Sequence, residues 1–282
     1  MALRISRLPQ LAMRALTSNV KNLLYPDGIL ALWWMGEKNN WGDALNPVLI
    51  SLLSKKRTIP GKYVINYKNK PIYLVCGSIL EMCDRNAIEV WGAGYISERS
   101  RAAVRPKAVH AVRGPLTRDM LIRQGVDCPE VYGDPALLYR NYYRPKIPKR
   151  YRLGVIPHYI DGASPLLRRI RSEPDVLIID ICSGINQVVD SVCSCRNIAS
   201  SSLHGLIIAD SYGIPSVWMK ISGGVVGEGF KFRDYFASVG REDSDPLILT
   251  EKEGIDGILD SVHAPRPDID LKELLEACPF LP

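Results

Sequence analysis

The sequence predicts an α/β protein with two units, each built on a parallel sheet covered by helices. Short apolar strands alternate with helix-start signals along most of the 282 residues, a pattern typical of parallel sheets. The alternation stops at residues 141–152 and restarts after them. These residues are rich in Tyr, Pro and basic residues, which predicts a linker. Hydrophobic residues make up 46% and charged residues 23%, which excludes fibrous, low-complexity and disordered chains.

The first 25 residues predict a basic amphipathic segment rather than a secretion signal. Their longest apolar run, residues 11–13, is too short for a signal-peptide core. Wound as a helix from about Pro9, the segment places Arg14 and Lys21 on one face, with Leu16 and Leu23 largely opposite. Such a helix could lie on an anionic membrane surface or dock on its own domain, and both alternatives stay open.

The composition limits which cellular compartment and which classes of binding partner we expect. No stretch reaches the ~20 apolar residues of a membrane span, and seven cysteines, an odd number, favour a reducing cytoplasm over a disulfide framework. We therefore expect a cytoplasmic protein, with peripheral attachment to the inner face of the plasma membrane as an open alternative. The net charge of +6 suits an anionic substrate or a membrane surface but does not indicate nucleic acid. No His or Cys pairs have zinc-site spacing, so we expect no metal.

Each unit contributes a series of strands and helices. The first domain, residues 26–140, has strand candidates at 29–34, 73–76, 88–91 and 108–113. The second domain, residues 153–282, has strand candidates at 153–156, 176–179, 197–199 and 216–218, and helix candidates at 184–195, 203–212 and, at its C-terminus, 270–277. Folds of this kind bind ligands beyond the carboxyl ends of their strands, so we expect a ligand cleft between the two domains.

The motif SSSLHG at residues 200–205 follows a predicted strand and opens a helix. Free amides and the helix dipole make such a start an anion site, to which Ser200, Ser201 and Ser202 could add hydroxyl donors. His204 would then face the anion from the first turn. The alternative is serine capping together with a histidine that is hydrogen-bonded within the fold.

Three more residues of the second domain are candidates for binding an anionic donor. His158 ends the first strand of this domain and should point at the cleft. Lys231 and Arg233 follow a glycine-rich loop and could bind phosphate or carboxylate, Arg through its fork and Lys as a point charge. The alternative for both is a solvated basic loop.

In the first domain, candidates lie at two strand ends. Arg113 closes a strand at the cleft edge, where it could bind an anion or pair with a carboxylate. Asp43 lies in the first strand-to-helix turn and could cap a helix or accept a proton from a sugar hydroxyl. Asn40 and Trp41 share that turn and are predicted to contact the acceptor. Neither the dinucleotide glycine motif nor a Walker lysine occurs, so we expect no cofactor.

Taken in this order, the segments resemble the polysaccharide pyruvyl transferase family. The resemblance covers about residues 30–240 and rests on the motifs at 40–43, 77–79, 91–94, 111–115, 133–136, 200–205 and 209–215. It implies a GT-B-like pair of Rossmann-like domains whose parallel sheets face each other across a cleft. The N-terminal domain would take the acceptor and the C-terminal domain the donor.

The resemblance also implies an activity. Members move the enolpyruvyl group of phosphoenolpyruvate onto a pair of sugar hydroxyls of an exopolysaccharide or cell-surface glycan precursor, forming a pyruvate ketal and releasing phosphate. His204 matches the family histidine and Arg113 its first-domain arginine; with Asp43 they form the predicted catalytic set. Some relatives carry an arginine where this chain has Ser202, so the missing charge would come from Lys231 or Arg233. We expect phosphoenolpyruvate as donor and a lipid-linked oligosaccharide as acceptor.

Two other functions remain open on the sequence. A GT-B glycosyltransferase that uses a nucleotide sugar would share this architecture but would need a pocket for base and ribose. A non-catalytic glycan-binding scaffold is the other alternative, since five Trp and thirteen Tyr could supply faces that stack on sugars.

Overall fold

The computed structural model describes residues 8–35, 40–65, 70–241, 245–251, 253–264 and 270–281. It contains two five-stranded sheets, and every strand pair in both sheets is parallel. The α/β architecture with two parallel sheets is therefore confirmed. None of the helices described is long and apolar enough to cross a membrane.

The first unit has the sheet order β2-β1-β3-β4-β5. Its elements are α1 (Leu8–Leu24), β1 (Ile29–Leu32), α2 (Trp41–Ser54), β2 (Thr58–Pro60), β3 (Ile72–Leu74), β4 (Ile88–Trp91), β5 (Ala108–Ala111) and α3 (Pro115–Arg123). Single 3-10 turns occur at Gly61–Tyr63, Leu80–Met82 and Pro135–Asn141. The last of these precedes the linker and packs against the second unit.

The second unit has the sheet order β10-β9-β8-β6-β7. Its elements are β6 (Tyr151–Ile156), α4 (Leu167–Arg171), β7 (Val176–Ile178), α5 (Ile185–Cys193), β8 (Cys195–Ser200), α6 (Leu203–Ser211), β9 (Ser216–Lys220), α7 (Phe230–Ser238), β10 (Leu247–Ile248) and α8 (Ile255–Asp260). A last helix, α9 (Lys272–Glu276), follows.

All eight predicted strands are present, and the two that were not predicted are the edge strands β2 and β10. These strands are three and two residues long, so neither presents the apolar run that marks a buried parallel strand. Strand β2 also ends in Pro60, which is tolerated at a sheet edge because an edge strand leaves one row of backbone groups unpaired.

The two units share one hydrophobic core. A single cluster of buried residues contains Trp41 and Leu45 from the first unit together with Ile207 and Phe236 from the second. Trp41 also donates a hydrogen bond from Nε1 to the carbonyl oxygen of Ile185, at 3.0 Å. This part of the interface between the two units is therefore largely apolar.

Helix α9 packs on the first unit, although the predicted second domain, residues 153–282, included it. Trp91 Nε1 donates to the carbonyl oxygen of Leu274 at 2.8 Å. The ring of Phe280 lies 5.4 Å from that of Trp91 and 5.1 Å from that of Tyr73. The apolar side chains of this segment are buried against the first sheet, a long-range contact that local sequence patterning does not reveal.

Candidate active site

A cavity of about 460 Å³ lies at the carboxyl ends of the strands, between the two units. Polar side chains from both units line it: Asn40, Asp43, Ser78 and Glu81 from the first, and His158, Tyr159, Ser202, His204 and Lys231 from the second. We call this the central cavity. The structure thus brings together most of the predicted site residues, although they come from distant parts of the chain.

His204 lies in the first turn of α6, and its ring contacts the start of α2. A Cβ atom added at Gly42 would come within 2.1 Å of the imidazole, so glycine is required for this approach. His204 Nε2 is buried and has no hydrogen-bond partner within the described part of the chain. Burial, together with the nearby cations Lys231 and Arg113, lowers the pKa of His204 to about 3. The imidazole is therefore neutral at physiological pH and has an unused nitrogen.

Asp43 is held by the cap of α2. Asn40 Oδ1 accepts hydrogen bonds from the backbone N–H groups of Gly42 and Asp43, at 3.0 and 3.3 Å, and Asn40 Nδ2 donates to Asp43 Oδ2 at 2.5 Å. The capping residue is therefore Asn40 rather than Asp43. Burial raises the pKa of Asp43 to about 7, although Lys231 acts in the opposite direction. A carboxyl group with this pKa can give or accept a proton near neutral pH.

Two nitrogen bases of the second unit complete the lining of the central cavity. Lys231 lies in the first turn of α7, where burial and the charge of Arg113 lower its pKa to about 8 despite the attraction of Asp43. His158 follows the end of β6, and burial together with Lys231 lowers its pKa to about 4. At neutral pH, Lys231 is thus the charged base of the pair and His158 the neutral one.

The three serines before α6 differ in their availability to a ligand. Ser200 Oγ donates to backbone carbonyl oxygens, including that of Ser202 at 2.8 Å, and accepts from the Ser202 N–H at 3.0 Å. Ser201 Oγ accepts from the His158 N–H at 2.8 Å and donates to Asp161 at 3.3 Å. Only Ser202 lines the central cavity. The hydroxyls of Ser200 and Ser201, predicted to bind the donor, are instead used within the fold.

Arg113 forms a buried ion pair between the two units, which is the second of the two alternatives left open by the sequence. Its Nε and Nη2 atoms both lie 2.9 Å from Oδ2 of Asp234 on α7. Its remaining donors reach Ser78 Oγ and the Tyr95 carbonyl oxygen, each at 2.6 Å. Both charged side chains are fully buried. Arg113, predicted to be catalytic, therefore lies behind the cavity wall and joins α7 to the first unit.

Trp41 and Arg233 do not line the central cavity. Trp41 is 1% exposed and packs edge-on against Tyr139, so its ring offers no face to an acceptor sugar. Arg233 donates to the Glu228 carbonyl oxygen at 2.9 Å and lines a separate cavity of about 490 Å³ next to Trp218. Of the two cations predicted to replace the family arginine, the structure places only Lys231 at the site.

Asp234 and Ser78 accept hydrogen bonds from Arg113 next to the site, and neither was among the predicted functional residues. Asp234 also accepts hydrogen bonds from the backbone N–H and hydroxyl of Thr117, at 2.8 and 2.7 Å. Within the described ranges, no group of three or more His, Cys, Asp or Glu side chains is arranged to hold a metal ion.

Comparison with known proteins identifies the family. The sequence model of the polysaccharide pyruvyl transferase family matches residues 40–223, from the α2 cap past the His204 turn. The uncharacterised protein L143 of Acanthamoeba polyphaga mimivirus is 32% identical over 241 residues, covering 82% of each chain. The succinoglycan biosynthesis protein ExoV of Rhizobium meliloti (strain 1021) is 24% identical over 217 residues, covering 74% of this chain and 64% of ExoV. The chain belongs to the polysaccharide pyruvyl transferase family.

Proposed function

We propose that the protein transfers the enolpyruvyl group of phosphoenolpyruvate to two hydroxyls of one sugar in a polysaccharide precursor, forming a pyruvate ketal and releasing phosphate. Family membership supports a transferase activity, and similarity to ExoV, a succinoglycan biosynthesis protein, supports a polysaccharide pathway. The observation that carries the proposal is the central cavity, which Lys231, the start of α6 and Asp43 line together with His204, whose buried Nε2 has no partner among the described residues.

The donor end of the cavity suits a small anion with two charged groups. Phosphoenolpyruvate carries a carboxylate and a phosphate. Lys231 supplies a buried ammonium group, and the first-turn amides of α6 point towards the cavity with the positive end of the helix dipole. An anion bound here would compensate the unfavourable burial of Lys231. Charge complementarity therefore favours a compact dianion or trianion over a neutral ligand.

The proton transfers can be assigned to groups on opposite sides of the cavity. A bound phosphate would raise the pKa of His204, so the imidazole would become protonated when the donor is in place and could then protonate the methylene carbon. The first sugar hydroxyl forms a bond to the neighbouring carbon and gives its proton to Asp43. The bond to phosphate then breaks, and the second hydroxyl closes the ketal while its proton leaves with phosphate. Carbon, oxygen and proton counts balance without a cofactor.

The acceptor would enter from a larger neighbouring space. A cavity of about 1120 Å³ at the ends of β6 and β7 shares His158 and Tyr159 with the central cavity. Tyr159 is 39% exposed and offers an aromatic face, which is a common surface for a sugar ring. We propose a lipid-linked oligosaccharide as the acceptor, with the sugar in this space and Asp43 within reach of its hydroxyls.

We expect kcat/KM for phosphoenolpyruvate to rise with pH through about 7 and to fall above about 8. Asp43 must be ionised to act as a base, and its raised pKa moves this ionisation to about 7. Lys231 must be charged to hold the donor, and its lowered pKa makes it lose that charge above about 8. Initial rates of phosphate release across this range measure the profile.

Lys231→Arg is the matched variant for the falling limb, because an arginine stays charged throughout the range. It should move the fall in kcat/KM to higher pH and leave the rise through about 7 in place. A falling limb that is unchanged in this variant would exclude Lys231 as its origin.

Ligand-dependent stability separates the proposal from the nucleotide-sugar alternative. We expect phosphoenolpyruvate to raise Tm and UDP-glucose to leave it unchanged. A ligand at 100 times its Kd stabilises the native state by about 2.7 kcal/mol, which a thermal-shift assay resolves. The reverse result, a shift with the nucleotide sugar and none with phosphoenolpyruvate, would favour a glycosyltransferase and contradict the proposal.

A further inference from the structure

Helix α1 exposes an apolar face to solvent. Six large apolar side chains of α1 are 43–74% exposed; Leu11 lies apart from the other five, which are Met13, Leu16, Val20, Leu23 and Leu24. At about 100° per residue, these positions fall within one sector of about 100° around the helix axis. The row is continuous, unlike the scattered single hydrophobic residues that protein surfaces ordinarily carry. We call it the α1 face.

The opposite side of α1 is polar and fixes the helix to the first unit. Arg14 donates from Nη1 to the Met35 carbonyl oxygen at 2.9 Å, and Asn19 donates from Nδ2 to the Tyr63 carbonyl oxygen at 2.8 Å. Ser18 is 2% exposed. The outward direction of the apolar row therefore follows from specific hydrogen bonds. Of the two basic residues that the sequence places on one face, Arg14 is thus used in docking α1 on its own unit, and Lys21 is exposed.

Exposed basic side chains lie on α1 and on the segments next to it. Lys21 is exposed on the helix itself, about 60° around the axis from the edge of the α1 face. The exposed Arg57 packs its guanidinium over the Tyr25 ring, 4.5 Å from the centroid. Lys62 is exposed in the 3-10 turn that contacts α1. An apolar row with exposed cations nearby has the composition of a surface that lies on anionic lipid.

We propose that the α1 face docks the protein onto an anionic phospholipid surface. The apolar row would enter the boundary between headgroups and acyl chains, and the exposed Lys21, Lys62 and Arg57 would contact lipid phosphates. A second copy of the chain fits less well, because pairing two α1 faces would bring their nearby cations together. The proposal does not depend on the transferase reaction and can fail or succeed independently of it.

Vesicle flotation tests this docking. The protein should float with vesicles of phosphatidylglycerol and phosphatidylcholine, and only weakly with phosphatidylcholine alone. The triple variant Leu16→Gln, Val20→Gln, Leu23→Gln should bind the anionic vesicles about 100-fold more weakly, since each residue loses part of its apolar transfer free energy. Lys21→Gln with Lys62→Gln should weaken binding about tenfold or more, an effect that added salt reproduces in the unchanged protein.

The matched control replaces exposed apolar residues elsewhere on the surface: Ile122→Gln, Val226→Gln and Ile248→Gln, which are 44%, 64% and 52% exposed. This variant should float like the unchanged protein, and circular dichroism should show both triple variants folded. Equal flotation of the two triple variants would overturn the proposal. So would absence of flotation with anionic vesicles, especially if sedimentation velocity revealed a dimer that the α1 variant abolishes.

Discussion

Replacing His204 with alanine is expected to lower the turnover number by about 10²–10⁴ while leaving the protein folded. His204 Nε2 is the buried nitrogen without a partner among the described residues, and His204 lines the central cavity together with Lys231 and Asp43. Its loss would remove both the proposed acid and a ligand of the phosphate. His204→Gln keeps most of the side-chain volume without a titrating group, so it should show the same loss in turnover with less risk to packing.

His110 provides the matched control. Its Nε2 lies 2.9 Å from Oε2 of Glu89, on β5 and outside the central cavity, so His110→Ala should affect stability before turnover. Phosphate release and product mass should be measured for all three variants after circular dichroism confirms folding. Near-normal turnover in a folded His204→Ala protein would remove this residue from the mechanism and direct attention to His158.

Replacing Asp234 with alanine is expected to lower the free energy of unfolding by about 3–5 kcal/mol. The change leaves the Arg113 guanidinium fully buried without its counter-charge, and Thr117 loses two hydrogen bonds. The pair joins α7 to the first unit, so turnover should also fall through displacement of Lys231. Urea denaturation measures the stability, and KM for phosphoenolpyruvate reports the displacement of Lys231.

The exposed ion pair of Arg152 and Asp256 is the control for this prediction. Asp256→Ala should change the free energy of unfolding by less than about 1 kcal/mol, because exposed pairs contribute little. A double variant, Arg113→Met with Asp234→Leu, should be more stable than Asp234→Ala, since it buries no unpaired charge. If Asp234→Ala is as mild as Asp256→Ala, the buried pair does not hold the units together.

The local pattern of the sequence was sufficient to predict most strands and the motifs at their ends. Apolar runs located eight of the ten strands in the described part of the chain, and the SSSLHG motif located the start of α6. Because the carboxyl ends of parallel strands meet at one edge of a sheet, the motifs converge without any knowledge of contacts. The roles of individual side chains depend on burial, which the sequence does not specify. The hydroxyls of Ser200 and Ser201 form hydrogen bonds within the fold, and Trp41 lies in the core.

The buried pair of Arg113 and Asp234 was not predictable because its partners are 121 residues apart. The sequence did contain a weaker signal for the position of Asp234. From the sequence, residues 231–235 were assigned to no helix, with a solvated loop as an alternative for Lys231 and Arg233, whereas the structure places them in α7. Once they are helical, Lys231 and Asp234 are three residues apart and lie on neighbouring positions of one face, with Arg233 turned elsewhere. The periodic Phe232 and Phe236, four residues apart and both buried, carried the information that this segment is a helix.

The central claim is that this chain transfers enolpyruvyl from phosphoenolpyruvate to a sugar. The most direct measurement incubates the purified protein with phosphoenolpyruvate and a panel of lipid-linked oligosaccharides, and records phosphate release and product mass together. We predict one phosphate released for each product formed, and a product heavier than its acceptor by one pyruvic acid less one water. Acceptors whose mass stays unchanged with phosphoenolpyruvate but increases by a sugar residue with a nucleotide sugar would contradict the account.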